Sequence, residues 1–402
     1  MMGTDRSILP EERDFEATIT SLTYRFVRSW QSTPATSPEP MRSYSRSQQA
    51  LNEQRILKVV DDPKRKRELR TLLDRPGHVT GSTLRRLAIV SLFTEADQEA
   101  SFATRSQQFA DATAEFIAQA RQFDPRIKSR DLAQALRNLW VFCSFQYLAG
   151  HKIRVTPSAL AYSLLYPYTD NYLDDSKLSL PAKKSFGARL GVELREPGQV
   201  PLDRREGRIF TLLAMIDQEY PRGEFPLVHK SLQAIHTAQN RALAQQDKVS
   251  KDDVLPMSFE KGGTSVLVDA FLAGSVKDGA WLELAFGFGC VLQLIDDLQD
   301  AEVDHEKGHR THFSIRNYGP CLETESLHLL QFLNDIVSSW RMENNNGHGS
   351  FKSMMTDSCA FLIYEALART RVPLSPGFRE RVSRHAPVSL EFLSGLRERV
   401  RN

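Results

Sequence analysis

Residues 279–300 read GAWLELAFGFGCVLQLIDDLQD and carry the strongest fold signal in this 402-residue sequence. Up to Ile295 the only charged side chain in the segment is Glu283, and a cluster of aspartates then follows. The apolar run is too long for a typical strand, which favours a buried helix. Glu283 and the charged end make it a poor membrane span. We therefore expect a central core helix whose C-terminal end is acidic.

The same kind of apolar spacing recurs along most of the chain. Apolar residues at intervals of three to four are typical of helices that bury one face. The segments that show this spacing are 83–95, 98–122, 132–149, 159–175, 207–219, 226–246, 251–273, 279–303, 323–342 and 351–370. Proline and glycine fall mostly between these segments, where helix breakers belong. The sequence therefore predicts an all-α protein.

The first fifty residues are weakly patterned. Segment 32–49, STPATSPEPMRSYSRSQQ, is rich in serine and proline and has almost no aliphatic side chains. Such a composition is typical of linkers and disordered extensions. We therefore expect residues 1–50 to be a poorly ordered extension and residues 51–402 to form one large helical domain.

Charge and cysteine content narrow the class of protein. Lysine and arginine number 52 and aspartate and glutamate 50, which gives a formal net charge of +2. This balance disfavours a nucleic-acid-binding protein that depends on a strong basic field. The four cysteines form no CxxC pair, which disfavours zinc ribbons and dithiol motifs and suits a reducing compartment. The first residues contain no apolar signal-peptide core, so we expect a cytoplasmic protein without a transmembrane segment.

Two aspartate clusters are the most informative polar features. The first is DNYLDD at 170–175 and the second is DDLQD at 296–300. On a helix, the first and fifth residues of each cluster lie one turn apart and share a face. Like charges at this spacing destabilise a helix by a few tenths of a kcal/mol. The clusters therefore call for a compensating cation, although a solvated acidic face is the alternative for either one alone.

Both clusters end helices that are otherwise apolar, and this arrangement suits Mg²⁺. Magnesium is a hard cation that prefers oxygen ligands and usually keeps waters and substrate phosphates in its shell. Two clusters that face each other across a helical bundle would hold several Mg²⁺ ions, or Mn²⁺, around a diphosphate. The metals would neutralise the leaving group, and apolar walls would shelter a carbocation from water.

An ordered set of residues resembles the trans-isoprenyl diphosphate synthases and the related class I terpene synthases. In that family a Gln-bearing helix precedes a Lys-Thr element, then a small residue, then Phe-Gln-x-x-Asp-Asp-x-x-Asp. This chain has Gln239, KGGT at 261–264, Gly289 and LQLIDDLQD at 292–300. The resemblance covers about residues 157–307. It implies a single large helical bundle of the isoprenoid-synthase type with a central apolar cavity.

Departures from the family pattern affect which reaction is expected. The first cluster resembles DxxxD(D) rather than the DDxxD plus Arg-Arg of chain-elongating synthases, and no Gly-Lys-Arg-x-x-Arg element precedes it. Chain elongation needs a second diphosphate site, so the resemblance favours a prenyltransferase-like (class IB) terpene synthase. Such an enzyme ionises one allylic prenyl diphosphate and cyclises or eliminates the carbocation. The alternatives are a trans-prenyltransferase that consumes isopentenyl diphosphate and a catalytically silent helical partner subunit. Many relatives are homodimers, and the sequence leaves the assembly of this chain open.

The predicted site residues divide by role. The expected metal ligands are Asp170, Asp174, Asp175, Asp296, Asp297 and Asp300. The resemblance assigns Lys261 to the diphosphate and places Thr264 and Gln239 near the substrate. The remaining substrate-binding candidates are Gln293, Lys307, Arg310, Tyr166 and Phe286. The residues expected to be essential for catalysis are Asp170, Asp174, Asp296, Asp300 and Lys261.

Overall fold

The computed structural model describes residues 9–35, 42–61, 99–173, 175, 177–245, 250, 252–316, 321–340 and 348–401. Within these ranges the regular elements are sixteen α-helices and one short 3-10 helix, Glu12–Asp14, and no strand is present. The all-α prediction is therefore confirmed for the described part of the chain. The helix predicted at 83–95 lies outside the described residues, and so does Asp174.

The sixteen helices are numbered here in chain order. They are α1 (Phe15–Ser32), α2 (Arg46–Val60), α3 (Glu99–Phe123), α4 (Ser129–Leu148), α5 (Pro157–Leu173), α6 (Leu180–Arg195), α7 (Arg204–Glu219), α8 (Pro226–Gln245), α9 (Val254–Leu272), α10 (Gly279–Gln299), α11 (Ala301–Lys307), α12 (His312–Arg316), α13 (Cys321–Ser338), α14 (His348–Arg369), α15 (Pro376–Ser383) and α16 (Leu390–Arg401). Local sequence fixes several of the starts. Asp278 Oδ1, for example, accepts hydrogen bonds from the N–H groups of Ala280 and Trp281 and so caps α10. A helix leaves its first N–H groups without partners, and such caps satisfy them.

The N-terminal helices α1 and α2 belong to the bundle. Phe26 of α1 stacks on Phe286 of α10 with ring centroids 5.8 Å apart. Asn52 of α2 donates a buried hydrogen bond of 2.9 Å to the backbone oxygen of Pro387. Within the segment expected to be an extension, residues 15–32 and 46–50 are therefore helical, and residues 1–8 and 36–41 lie outside the described residues. Apolar residues recur along α1 at helical spacing, and this gives the helix a face that it buries.

Helices α9 and α10 cross with their backbones in contact. A Cβ atom added to Gly289 would lie 2.2 Å from the backbone oxygen of Gly262, and one added to Gly262 would lie 2.4 Å from that of Gly289. A Cβ on Gly263 would meet the ring of Phe286 at 2.5 Å. Side-chain atoms do not approach this closely in packed interiors, so glycine is required at the crossing. The crossing also fixes how far Lys261 lies from the acidic end of α10.

Helix α10 is the core helix of the described bundle. It is the one described helix that is long and apolar enough, by length and composition alone, to cross a membrane. Phe286, Cys290 and Val291 are nevertheless completely buried, and α1, α9 and α13 pack against it. This environment is that of a core helix in a globular bundle, as the sequence predicts.

A buried polar cluster ties the C-terminal half of the bundle to α1. His312 Nε2 lies 2.9 Å from Glu325 Oε2, and the ring of His328 stacks on Trp30 with centroids 3.9 Å apart. Burial by itself raises the pKa of Glu325, but hydrogen bonds from the two histidines outweigh it and lower that pKa to about 2. The ionised carboxylate is therefore stabilised in the folded protein.

We expect Glu325→Gln to destabilise the protein at neutral pH, and the difference from the wild type to shrink in acid. The folded-state pKa lies below the ordinary value of 4.5, so this contribution is complete above about pH 4.5 and fades as the pH falls toward 2. The shift corresponds to about 3 kcal/mol. Urea unfolding at several pH values measures it. Glu380→Gln is the control, since Glu380 forms an exposed pair with Arg384, and it should change stability by less than about 0.5 kcal/mol. An equal loss at every pH would contradict the expectation.

Candidate active site

The first aspartate cluster begins at the C-terminal end of α5. Asp170 Oδ2 accepts a hydrogen bond of 3.2 Å from Gln134 Nε2 of α4. Tyr166 lies one turn earlier on α5, and burial raises the pKa of its phenol further above its ordinary value. The phenol is therefore neutral and able to donate a hydrogen bond beside Asp170.

The second cluster lies at the C-terminal end of α10 and is held by side chains of two helices. Asp297 is 4% exposed. Its Oδ1 accepts from Gln293 Nε2 at 2.8 Å and its Oδ2 accepts from Ser258 Oγ at 3.0 Å. Burial raises the pKa of Asp297 to about 6, and the charge of Asp296 adds to the effect. Gln293 thus orients a carboxylate, which is one of the roles expected for it.

Lys261 of α9 lies between the two acidic helix ends. Burial by itself lowers the pKa of Lys261, but surrounding carboxylates outweigh burial and raise it. These carboxylates belong to Asp170, Asp296 and Asp297. Lys261 is therefore a stable cation, and it is the common neighbour of both aspartate clusters. The fold brings together at one point three helix segments that are far apart in the sequence.

Arg137 of α4 is a site residue that the sequence analysis did not identify. Its guanidinium lies 3.5 Å from Asp296 Oδ1 and its side chain is 56% exposed. Its charge also lowers the pKa of Asp300. Arg137 lies one turn after Gln134, so α4 supplies one partner to each cluster. A basic residue within an ordinary amphipathic helix gave no signal by itself, and only the packing of α4 places it here.

The segment after α10 continues the acidic face. The pKa of Asp300 is raised, first by burial of its carboxyl and then by repulsion from Asp296 and Asp304. Lys307 at the end of α11 acts in the opposite direction on Asp300, so its ammonium lies within electrostatic reach of the cluster. Arg310 follows α11 and is half-buried.

Two of the predicted site residues, Asp175 and Thr264, form contacts with other protein groups. Asp175 pairs with Arg205 of α7 at 3.0 Å. Thr264 donates its hydroxyl to the backbone oxygen of Glu260 at 2.6 Å, which is a bond within its own helix. For both side chains the observed partner is therefore a group other than Lys261 and the aspartates of α10.

Of two further candidates, Phe286 contributes to packing. Phe286 is completely buried against Phe26 and the backbone of Gly263, so it supports the α9–α10 crossing rather than lining an open pocket. Gln239 is half-buried on α8.

A small cleft of about 140 Å³ lies beside α6 and α7, where it is lined by residues such as Phe186 and Arg189. That cleft does not include the aspartate clusters, and the predicted central apolar cavity stays a prediction.

The carboxylates of the site can supply part of the ligand shell of Mg²⁺. In the described part of the chain, no three acidic, histidine or cysteine side chains are close enough together to hold a metal ion by themselves. Mg²⁺ is commonly bound by one or two carboxylates together with phosphate oxygens and waters. Asp170 on one side and Asp296 and Asp297 on the other are oxygen donors of the required kind. They therefore suit a metal whose remaining ligands would be waters in the free protein and phosphate oxygens once a phosphorylated substrate binds.

No family model, no curated protein and no solved structure matches this chain. The described components of the site are two sets of carboxylates at the ends of apolar helices, the half-buried cationic side chain of Lys261, and the guanidinium of Arg137.

Proposed function

We propose that this protein is a Mg²⁺-dependent class I terpene synthase with an isoprenoid-synthase bundle. It would ionise an allylic prenyl diphosphate, release diphosphate and cyclise or eliminate the carbocation. The observation that carries the proposal is the convergence of Asp170, Asp296 and Asp297 on Lys261 at one end of an apolar helical bundle. An acidic site of this kind suits metal-bound diphosphate, and the apolar bundle beneath it suits a hydrocarbon chain.

Each side chain has a distinct task in this reaction. Asp170 from α5 and Asp296 and Asp297 from α10 would hold the metal ions, which neutralise charge on the leaving diphosphate. Lys261 would bind a phosphate oxygen directly, because its surroundings keep it protonated. Gln293 and Ser258 fix the rotamer of Asp297 through both of its oxygens, so little reorganisation would be needed at the moment of ionisation.

Arg137 and Lys307 add positive charge near the second aspartate cluster. Arg137 is paired with Asp296, and Lys307 lies on the exposed end of α11. Both would contact a diphosphate once the metals had neutralised the carboxylates. The sequence has no Gly-Lys-Arg-x-x-Arg element for a second diphosphate, which favours ionisation of one substrate over condensation of two.

The test is diphosphate release from single substrates. Purified protein receives geranyl, farnesyl, geranylgeranyl or geranylfarnesyl diphosphate, with and without Mg²⁺ and with and without isopentenyl diphosphate. We expect Mg²⁺-dependent diphosphate release from one allylic substrate alone, together with a hydrocarbon or alcohol that mass spectrometry detects in the organic extract.

Other outcomes would redirect the assignment. A longer prenyl diphosphate that forms only with isopentenyl diphosphate would identify a prenyltransferase. If no substrate is turned over alone, the protein should be mixed with a partner synthase, and stimulation of that enzyme would identify a non-catalytic subunit. Diphosphate release that is unaffected by removal of Mg²⁺ would contradict the proposal.

For Arg137→Gln we expect opposite effects on metal and substrate. The guanidinium competes with Mg²⁺ for Asp296 in the free protein, so its removal should tighten Mg²⁺ binding. An exposed ion pair contributes about 0.4–1 kcal/mol, which corresponds to about two- to fivefold in affinity. The same change should raise KM for the allylic diphosphate, because a phosphate ligand is lost.

Calorimetric titration of Mg²⁺ without substrate, together with steady-state kinetics, separates the two effects. The matched control is Arg384→Gln, since Arg384 forms a comparably exposed pair with Glu380 and should change neither quantity. Weaker Mg²⁺ binding by Arg137→Gln would show that Arg137 organises the carboxylates instead of competing for them.

A further inference from the structure

A carboxyl group lies deep in the bundle and has no role in the site described above. Asp269 of α9 is 1% exposed. Its Oδ1 accepts a hydrogen bond of 2.9 Å from Asn138 Nδ2. Its Oδ2 is buried and has no hydrogen-bond partner among the described atoms. Buried polar atoms without partners are costly and rare, so the position of this carboxyl requires an explanation.

Asp269 is the inner end of a line of polar groups that starts at the candidate active site. Lys261, Ser265 and Asp269 follow one another at four-residue intervals on α9, and therefore share a face. Tyr162 of α5 donates its hydroxyl to the backbone oxygen of Ser265 at 2.9 Å. Eight residues of helix place Asp269 about 12 Å beyond Lys261, toward the interior of the bundle. A hydrocarbon chain whose diphosphate is bound at Lys261 would extend in the same direction.

Burial keeps Asp269 uncharged. The hydrogen bond from Asn138 of α4 by itself lowers the pKa of Asp269, and burial outweighs it. Cys143 of α4 and Tyr162 of α5 lie within electrostatic reach of Asp269. Burial raises the pKa of Cys143 to about 12, and it also raises the pKa of Tyr162, so both are neutral at pH 7 and neither supplies a counter-charge. Burial likewise raises the pKa of Asp269 well above its usual range. In the neutral acid Oδ1 is the carbonyl acceptor for Asn138, and the hydroxyl on Oδ2 is a donor that has no acceptor among the described atoms.

We propose that Asp269 is an internal acid–base residue, which donates the proton on Oδ2 to a carbon–carbon double bond of a neutral olefin formed in the bundle and later recovers a proton. In the first step the O–H bond breaks and its electrons stay on Oδ2. The π electrons of the olefin form the new C–H bond, and the adjacent carbon becomes a carbocation. In the second step a C–H bond next to that cation breaks, its electrons form a new double bond, and the proton returns to Oδ2. The sequence needs no other reagent and lets a released olefin be ionised again.

This inference rests on the proposed function, and isotope labelling tests it. The protein is equilibrated in heavy water and given the allylic diphosphate that it turns over. Protonation by an exchanged Asp269 should place deuterium in the hydrocarbon product. Asp269→Asn keeps an acceptor for Asn138 but has no proton to give. We expect it to retain diphosphate release, to incorporate no deuterium and to accumulate the neutral olefin that the wild type processes further. Tyr162→Phe is the matched control and should keep the label.

The outcomes distinguish this inference from the proposed function. Diphosphate release with no deuterium in the wild-type product, or with equal labelling in Asp269→Asn, would overturn the role of Asp269 and leave the proposed function intact. Absence of diphosphate release from every substrate would overturn both. A second measurement is independent of turnover and of any ligand. Infrared spectroscopy at pH 7 should show the C=O band of a protonated buried carboxyl in the wild type and lose it in Asp269→Asn, and its absence in a folded wild type would also overturn the inference.

Discussion

Replacement of Lys261 by methionine is expected to reduce kcat/KM for diphosphate release by about 10²–10³-fold, the usual cost of removing one positioned group that stabilises developing negative charge. Methionine retains much of the apolar stem of lysine, so packing against α5 and α10 is preserved while the ammonium is lost. Asp170, Asp296 and Asp297 then face one another without their shared cation.

The loss of that cation gives the same variant a second, distinctive property. Without Lys261 the repulsion among the carboxylates is larger in the metal-free protein, so Mg²⁺ should raise the melting temperature of Lys261→Met more than that of the wild type. Stopped assays of diphosphate release and thermal melts with and without Mg²⁺ measure the two effects. Lys277→Met is the control, because Lys277 is exposed in the turn between α9 and α10. If Lys261→Met keeps its activity within about tenfold, Lys261 does not bind the diphosphate.

Replacement of Gly289 by alanine is expected to destabilise the protein by about 3 kcal/mol or more, at the upper end of overpacking costs. The added Cβ would lie 2.2 Å from the backbone oxygen of Gly262 and 2.8 Å from Cα of Gly263. Those atoms belong to a helix backbone, so they cannot move aside as a flexible side chain can. The helices must separate, and the separation also shifts Lys261 relative to Asp296.

Denaturant unfolding measures the cost, and Gly395→Ala provides a matched control. Gly395 also lies in a helix, α16, but a Cβ there meets nothing within 4 Å. That substitution should leave stability unchanged or raise it by less than about 1 kcal/mol, as helix propensity predicts. The variants Gly262→Ala and Gly289→Ala should be strongly non-additive, because either one alone already forces the helices apart. Wild-type stability in Gly289→Ala would contradict the close crossing.

The position of the acidic cluster was largely accessible from sequence because it is local information. Residues 279–300 contain both an apolar run and the aspartates that end it, and helical periodicity places Asp296 and Asp300 on one face. Lys261 was identified by resemblance alone. The orientation of the Thr264 hydroxyl could not be predicted in the same way. A threonine hydroxyl in a helix can bond back to its own backbone or face a ligand, and the motif does not distinguish these alternatives.

The N-terminal region shows a second limit of prediction from sequence. Its serine- and proline-rich segment suggested an extension, yet α1 is amphipathic and its face is covered by α9 and α10. Residue composition averages over the short helix and the linker, so the weaker helical signal was lost. Whether such a helix packs against the domain depends on an apolar surface formed by distant parts of the chain.

By itself, the sequence determined that the protein is helical, that α10 is its core and that carboxylates gather at helix ends, because each of these depends on residues within a few turns of one another. Only the tertiary structure decided that α5, α9 and α10 meet at Lys261, that Arg137 reaches Asp296, and that Asp269 is buried without a second partner. These facts depend on how closely helices approach, and here that approach is set by Gly262 and Gly289, where backbones touch. Contacts between distant segments follow from three-dimensional packing, and no periodicity along the chain encodes them.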